Sequence, residues 1–146
     1  MSRKFDLVMT QEEKDLLLKD LCARLPYGVI CYDEVQQERG IFKQFEYEGF
    51  GRIHNGRGLR FIENIKPYLR PMSSITKEEC KELEDLPATI ENISDWIPNI
   101  PYYMEVVWPD QIDWFNKHHI DYRCLIEKGL AIEVTEENNP YAKDID

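Results

Sequence analysis

The sequence predicts an α+β fold: an N-terminal helix, a three- to four-stranded antiparallel meander, and short C-terminal helices packed on one sheet face. Three observations predict it. A capping box opens an early run of leucines at helical spacing. The middle third then changes to β-branched and aromatic residues punctuated by glycine and Asn-Gly. A second capping box and further helix-start residues return after residue 75.

The first helix is expected over 11–25. The Thr10 hydroxyl can accept from the Glu13 amide while the Glu13 carboxylate reaches back to the Thr10 amide. Leu17, Leu18, Leu21, Cys22 and Leu25 fall on one stripe, which reads as core. Glu12 and Glu13 suit the positive helix start, Arg24 suits its end, and Pro26 stops it.

From Tyr27 the period changes. Tyr27 to Tyr32 reads as a strand, Asp33 to Arg39 as a connection, and Ile41 to Glu48 as a second strand with Phe45 and Tyr47 on one side. Gly49 and Gly51 are expected to loosen or bulge that strand. Asn55-Gly56 tolerates the positive φ values of a type I′ turn, and Leu59, Phe61 and Ile62 continue the returning strand. Pro67 and Pro71 exclude a helix interior between them.

Thr76 and Glu79 form the second capping box, opening a helix that ends near Leu86-Pro87. The stretch 92–109 holds Trp96, Tyr102, Tyr103 and Trp108 among prolines, with one short strand expected at 103–107. Asp110 is expected to cap a helix over 111–117. Asp121 is expected to cap a shorter one through Lys128, closed by Gly129 with Leu130 folding back. Residues 1–135 read as a single domain and 136–146 as a frayed acidic tail.

A chain of 146 residues can bury roughly 68–70% of its unfolded surface without disulfides or a structural metal. The four cysteines are spaced 9, 49 and 44 apart, so no CxxC pair supports a zinc ribbon or a redox motif. The segment after Arg3-Lys4 is too short and acidic for a signal-peptide core, and no run approaches the ~18 apolar residues of a spanning helix. A cytoplasmic protein with reduced thiols, no membrane association and no cofactor is the resulting expectation.

The net charge of −10 is unevenly spread. Residues 1–39 carry six Lys/Arg against eight Asp/Glu, residues 40–75 six against three, and residues 76–146 six against seventeen. An acidic half of this kind repels duplex DNA and favours a protein partner with a basic surface.

Candidate chemistry concentrates in two places. His118-His119-x-Asp121 attracts notice, but adjacent helical side chains diverge by about 100°, which is wrong for a shared metal; capping or packing fits better. Cys124 lies nearby on a stretch expected to pack it inward, and neither it nor Ser73-Ser74 has nucleophile-elbow context. The second place is the hairpin, where Arg52, His54, Arg57 and Arg60 stand among Phe50 and Phe61. The glycines there lack the strand–helix context of a phosphate loop. The candidate interaction surface is therefore Arg52, His54, Arg57, Arg60, Trp96, Trp108, Trp114, His118, His119 and Asp121, with no catalytic or metal-binding residue assigned.

Three blocks carry a resemblance: Leu21 to Val29 (LCARLPYGV), Ile65 to Ser74 (IKPYLRPMSS), and Ile112 to Ala131 except position 120. They resemble a family of small, uncharacterised acidic proteins of gut anaerobic bacteria and their phages and integrated elements. That family has Leu where Phe115 stands and Gly where Cys124 stands, departures that read as packing changes. The resemblance implies a cytoplasmic, phage-linked protein and supplies no catalytic residues.

The expected function is that of a non-catalytic interaction protein, an inhibitor or accessory factor using its acidic C-terminal half. One alternative is a small enzyme or ligand-binding module using His54, His118 or His119. The other is single-stranded nucleic-acid binding through the basic hairpin.

Overall fold

The computed structural model describes residues 9–45, 50–53, 58–86 and 109–142. The chain divides into two compact units, Met1–Pro67 and Tyr68–Asp146. The α+β class holds: an N-terminal helix, a mostly antiparallel sheet, then further helices. Among the described residues the sheet has six strands, and the consecutive antiparallel pairs of the first four form the expected meander.

In the first unit, helix α1 (Gln11–Arg24) carries both halves of the Thr10–Glu13 capping box, and a 3₁₀ turn at Leu25–Tyr27 takes Pro26 in its first positions. Its buried face is rotated from the expected stripe. Leu17, Asp20, Leu21 and Arg24 are buried, Leu18 and Leu25 are half-buried, and Cys22 is exposed. The reason is the ion pair: Arg24 donates from Nε to Asp20 at 2.8 Å and from Nη2 at 3.1 Å, so two charged residues can occupy core positions one turn apart.

Strands β1 (Ile30–Asp33), β2 (Glu38–Phe45), β3 (Phe50–Ile53) and β4 (Arg60–Phe61) follow. The second strand begins at Glu38, inside the stretch expected to be a connection, because Asp33 pairs with Glu38 and Tyr32 with Arg39. The irregularity falls between Phe42 and Gln44 rather than at Gly51, which pairs regularly. A Cβ on Gly51 would stand 2.8 Å from a Phe42 ring carbon, so glycine is required there by close packing. Strands β3 and β4 flank the Asn55-Gly56 position antiparallel, as a hairpin requires, while the turn itself lies outside the described residues. Among the described residues, the buried apolar ones of this unit are Leu17, Leu21, Val29, Cys31, Phe42, Ile53, Ile62 and Ile65.

Strand β5 (Ile65–Leu69) contains Pro67 and runs through the unit boundary. Its first half pairs antiparallel with β1, and its second half pairs parallel with β6 (Ile132–Glu133).

In the second unit, helix α2 (Lys77–Glu84) is opened by the Thr76–Glu79 capping box as expected. Helix α3 (Pro109–Lys117) starts two residues earlier than expected. Proline supplies a first helical position that needs no amide donor, and Asp110 sits inside the first turn instead of capping it. Leu83, Trp114, Phe115, Ile120 and Tyr122 form the buried cluster, with Met72, Ile75, Cys80, Leu86 and Ile112 against it.

The expected helix after Asp121 is only a turn. Cys124 has φ +61°, which interrupts helical backbone, yet Asp121 still caps the Leu125 and Ile126 amides at 2.9 Å each. Its end is nevertheless the expected Schellman arrangement: Leu130 donates to the Leu125 carbonyl and Gly129, at φ +74°, to that of Ile126. Beyond residue 135, expected to fray, Tyr141 stacks on His119 at 3.9 Å and donates its hydroxyl to the Tyr68 carbonyl at 2.8 Å. The expected strand at 103–107 lies outside the described residues.

Candidate functional site

A grouping of titratable side chains among the described residues of the second unit is built on α2 and α3. Thr76 fixes the start of α2, so Glu79 stands at its third position, accepting from the Thr76 amide at 3.0 Å. Arg70, just after β5, then donates to both Glu79 oxygens, at 2.9 Å from Nη1 and 2.7 Å from Nη2. The same guanidinium donates to the Ser74 hydroxyl and carbonyl. Hydrogen bonding from Arg70 outweighs burial and holds the Glu79 carboxyl down at about 2.

His118 ends α3 over the same carboxylates. Its ring stacks on Trp114 with centroids 4.0 Å apart, Nδ1 lies 3.9 Å from Glu79, and Nε2 lies 4.0 Å from Glu82. Trp114 donates its indole N–H to Glu82 at 3.1 Å. Burial pushes the His118 pKa below the ordinary histidine value; Glu79 and Glu82 pull it up, while Arg70 and Lys117 add to the depression. The group is a charge-compensated cap on the helix pair. Neither carboxylate comes within hydrogen-bond reach of the imidazole, which the general-base geometry requires.

His119 does different work. It takes φ +61° as the left-handed residue closing α3, with its amide donating to the Asn116 carbonyl and that of Ile120 to Phe115. Its capping role agrees with the expectation for the His-His pair. Asp121 is buried and spends its carboxylate on backbone amides, and Trp114 is buried in the core cluster; neither belongs to a surface as expected. Cys124 is half-buried rather than packed inward.

Of the hairpin cations, Arg60 is also buried. It donates to Asp33 at 3.1 Å and to Glu38. Burial disfavours its charge, but hydrogen bonds to Glu38 and Asp33 more than offset that and leave its pKa raised. Arg52 is exposed on β3. His54, Arg57, Trp96 and Trp108 lie outside the described residues. The structure thus brings His118 and Trp114 together and separates Arg52 from Arg60, onto opposite faces of the sheet.

Sequence reasoning missed Glu79 and Glu82 as neighbours of His118, and Arg70 as the partner of Glu79. Glu79 was visible only as a capping residue, because nothing local marks a pairing nine residues away. Among the described residues no group of three or more His, Cys, Asp or Glu is placed to hold a metal ion, and no helix is long and apolar enough to cross a membrane. No family model, curated protein or solved structure matches the chain.

Proposed function

We propose that this chain is a non-catalytic cytoplasmic interaction protein, an inhibitor or accessory factor that docks a basic protein partner on its acidic second unit. The resemblance to small phage-linked acidic proteins of gut anaerobes points the same way. One observation carries the reading: the unit boundary is also a charge boundary. Met1–Pro67 holds eleven Lys/Arg against eleven Asp/Glu, whereas Tyr68–Asp146 holds seven against seventeen, which is the entire net charge of −10.

Within the second unit, Arg70 is already committed to Glu79. Glu78, Glu84 and Asp85 on and after α2, and Asp110 and Asp113 on α3, are exposed. Lys77, Lys81 and Lys117 are exposed on the same helices, so the surface is acidic in balance; such an excess raises the association rate with a basic partner and makes binding fall with salt.

The test is capture from a host-cell lysate at low and high salt with the whole tagged chain, beside a variant carrying Asn or Gln at those five positions. A basic protein retained at low salt, released at high salt and lost by the variant supports the reading. No partner, or one held equally by the variant at high salt, overturns it.

A further inference from the structure

The end of α3 sets His118 between two carboxylates of α2. Its Nδ1 lies 3.9 Å from Glu79 Oε2, and its Nε2 lies 4.0 Å from Glu82 Oε1. Arg70 after β5 and Lys117 on α3 are the cations that act on the ring beside them. A neutral imidazole carries one N–H, so in either tautomer one ring nitrogen faces a carboxylate with no proton between them. Only the imidazolium offers a donor to both. The surroundings therefore match a charge state that burial disfavours at neutral pH.

The two carboxylates differ in freedom. Glu79 is clamped: Oε1 accepts from the Thr76 amide and from Arg70, Oε2 accepts from Arg70, and the side chain is 18% exposed. Glu82 is 59% exposed, and the same Oε1 that faces His118 accepts the Trp114 indole N–H at 3.1 Å. Trp114 in turn stacks on the His118 ring at 4.0 Å and belongs to the buried cluster of Leu83, Phe115, Ile120 and Tyr122. One oxygen thus serves an indole N–H and faces a ring nitrogen that becomes a charged donor on protonation.

We infer that Glu82 is a proton-operated latch: when His118 takes up a proton, the Glu82 carboxylate leaves the Trp114 indole N–H for the imidazolium, and it returns when the proton is lost. The imidazolium wins the contest because it adds a charge of its own in a site partly shielded from water. The ring stays in place, since a cation over an indole face is attracted to it. Glu79 does not answer the charge, because moving it breaks the fork with Arg70. The effect reaches the core. A largely buried indole N–H loses its acceptor, so acid loosens Trp114 while the Arg70–Glu79 tie stays intact.

The experiment is an NMR titration of His118 in the whole chain, comparing the parent, Trp114→Phe, Glu82→Gln and the double variant. Trp114→Phe keeps a ring against His118 but removes the competing N–H. Glu82 is then free for the imidazolium, and the His118 midpoint is expected to rise by about half a pH unit. Weaker burial by the smaller ring would raise the midpoint equally with or without the Glu82 charge. The latch instead requires that the rise be lost in the Glu82→Gln background. No rise in the parent background, or a rise of the same size in both, overturns the inference. Crystal structures of the parent above and below the His118 midpoint test it without a core substitution. The Nε2–Glu82 distance is expected to shorten from 4.0 Å to about 2.8 Å as the Trp114 contact lengthens. An unmoved Glu82, or a His118 ring turned away from Trp114, overturns it equally.

Discussion

Arg70 and Glu79 are joined twice, Nη1 to Oε2 at 2.9 Å and Nη2 to Oε1 at 2.7 Å, tying the end of β5 to the first turn of α2. The fork geometry fixes both side chains, and each is about four-fifths buried, so the pair is screened far less than a surface contact.

That pairing predicts an acid-sensitive contribution to stability. The folded Glu79 pKa is about 2 against an ordinary 4.5, so the folded state binds its proton less well than the unfolded chain. The stabilisation is fully present above pH 4.5 and lost as pH falls towards about 2, amounting to about 3 kcal/mol. Glu79→Gln keeps the capping geometry but loses the charge, leaving Arg70 without its anion. Urea midpoints should place this variant about 2 kcal/mol below the parent at neutral pH. The gap should close at strongly acid pH; a gap independent of pH would show that the pair does not carry the effect.

His118 supplies a second pH dependence with the same direction in a higher window. Its folded pKa lies below the ordinary value of 6.5 because burial against Trp114 disfavours the imidazolium. The unfolded chain therefore takes up the proton first, and stability falls as pH drops from about 7 through the folded pKa. Imidazole proton shifts followed by NMR should titrate below those of a free histidine. Glu82→Gln removes an attractive carboxylate 4.0 Å away and should move the titration lower still. An upward movement would mean that Glu82 acts on the ring through something other than its charge.

How far the sequence could be read follows from the range of each interaction. Both capping boxes were legible because donor and acceptor lie three residues apart. The Schellman end at Gly129 was legible for the same reason. Arg60 was misread as a surface cation because its partners Asp33 and Glu38 are 27 and 22 residues away, joined to it only by strand register. The α1 stripe was misplaced because only apolar residues were counted as core-seeking, while Asp20 and Arg24 compensate one another inside. Of the candidate site, Trp114 and His118 were named from the sequence without being paired to each other; their carboxylate partners lie on another helix and left no local signal.

Gly51 gives a steric prediction. Its missing Cβ leaves room for Phe42 at 2.8 Å and Ile62 at 3.0 Å, both buried, with the Gln44 carbonyl at 3.2 Å. Gly51→Ala must displace two core side chains. It should cost about 1–3 kcal/mol in denaturant unfolding despite adding only a methyl group. A neutral result would mean that the Phe42 ring can rotate away without loss of packing.

Cys124 gives the opposite case. At φ +61° it holds a left-handed backbone, which costs an L-residue roughly 1–2 kcal/mol, and its half-buried side chain recovers little of that. Glycine adopts this conformation without penalty but loses more backbone entropy on folding. Cys124→Gly should therefore raise stability by about 0.5–1 kcal/mol, read as an upward shift in melting temperature. The same change at His119, also at φ +61°, removes the ring stacked on Tyr141 and should gain less. Equal gains at the two positions would mean that the His119–Tyr141 stack contributes nothing, and a loss at Cys124 would mean that its thiol packing outweighs the backbone term.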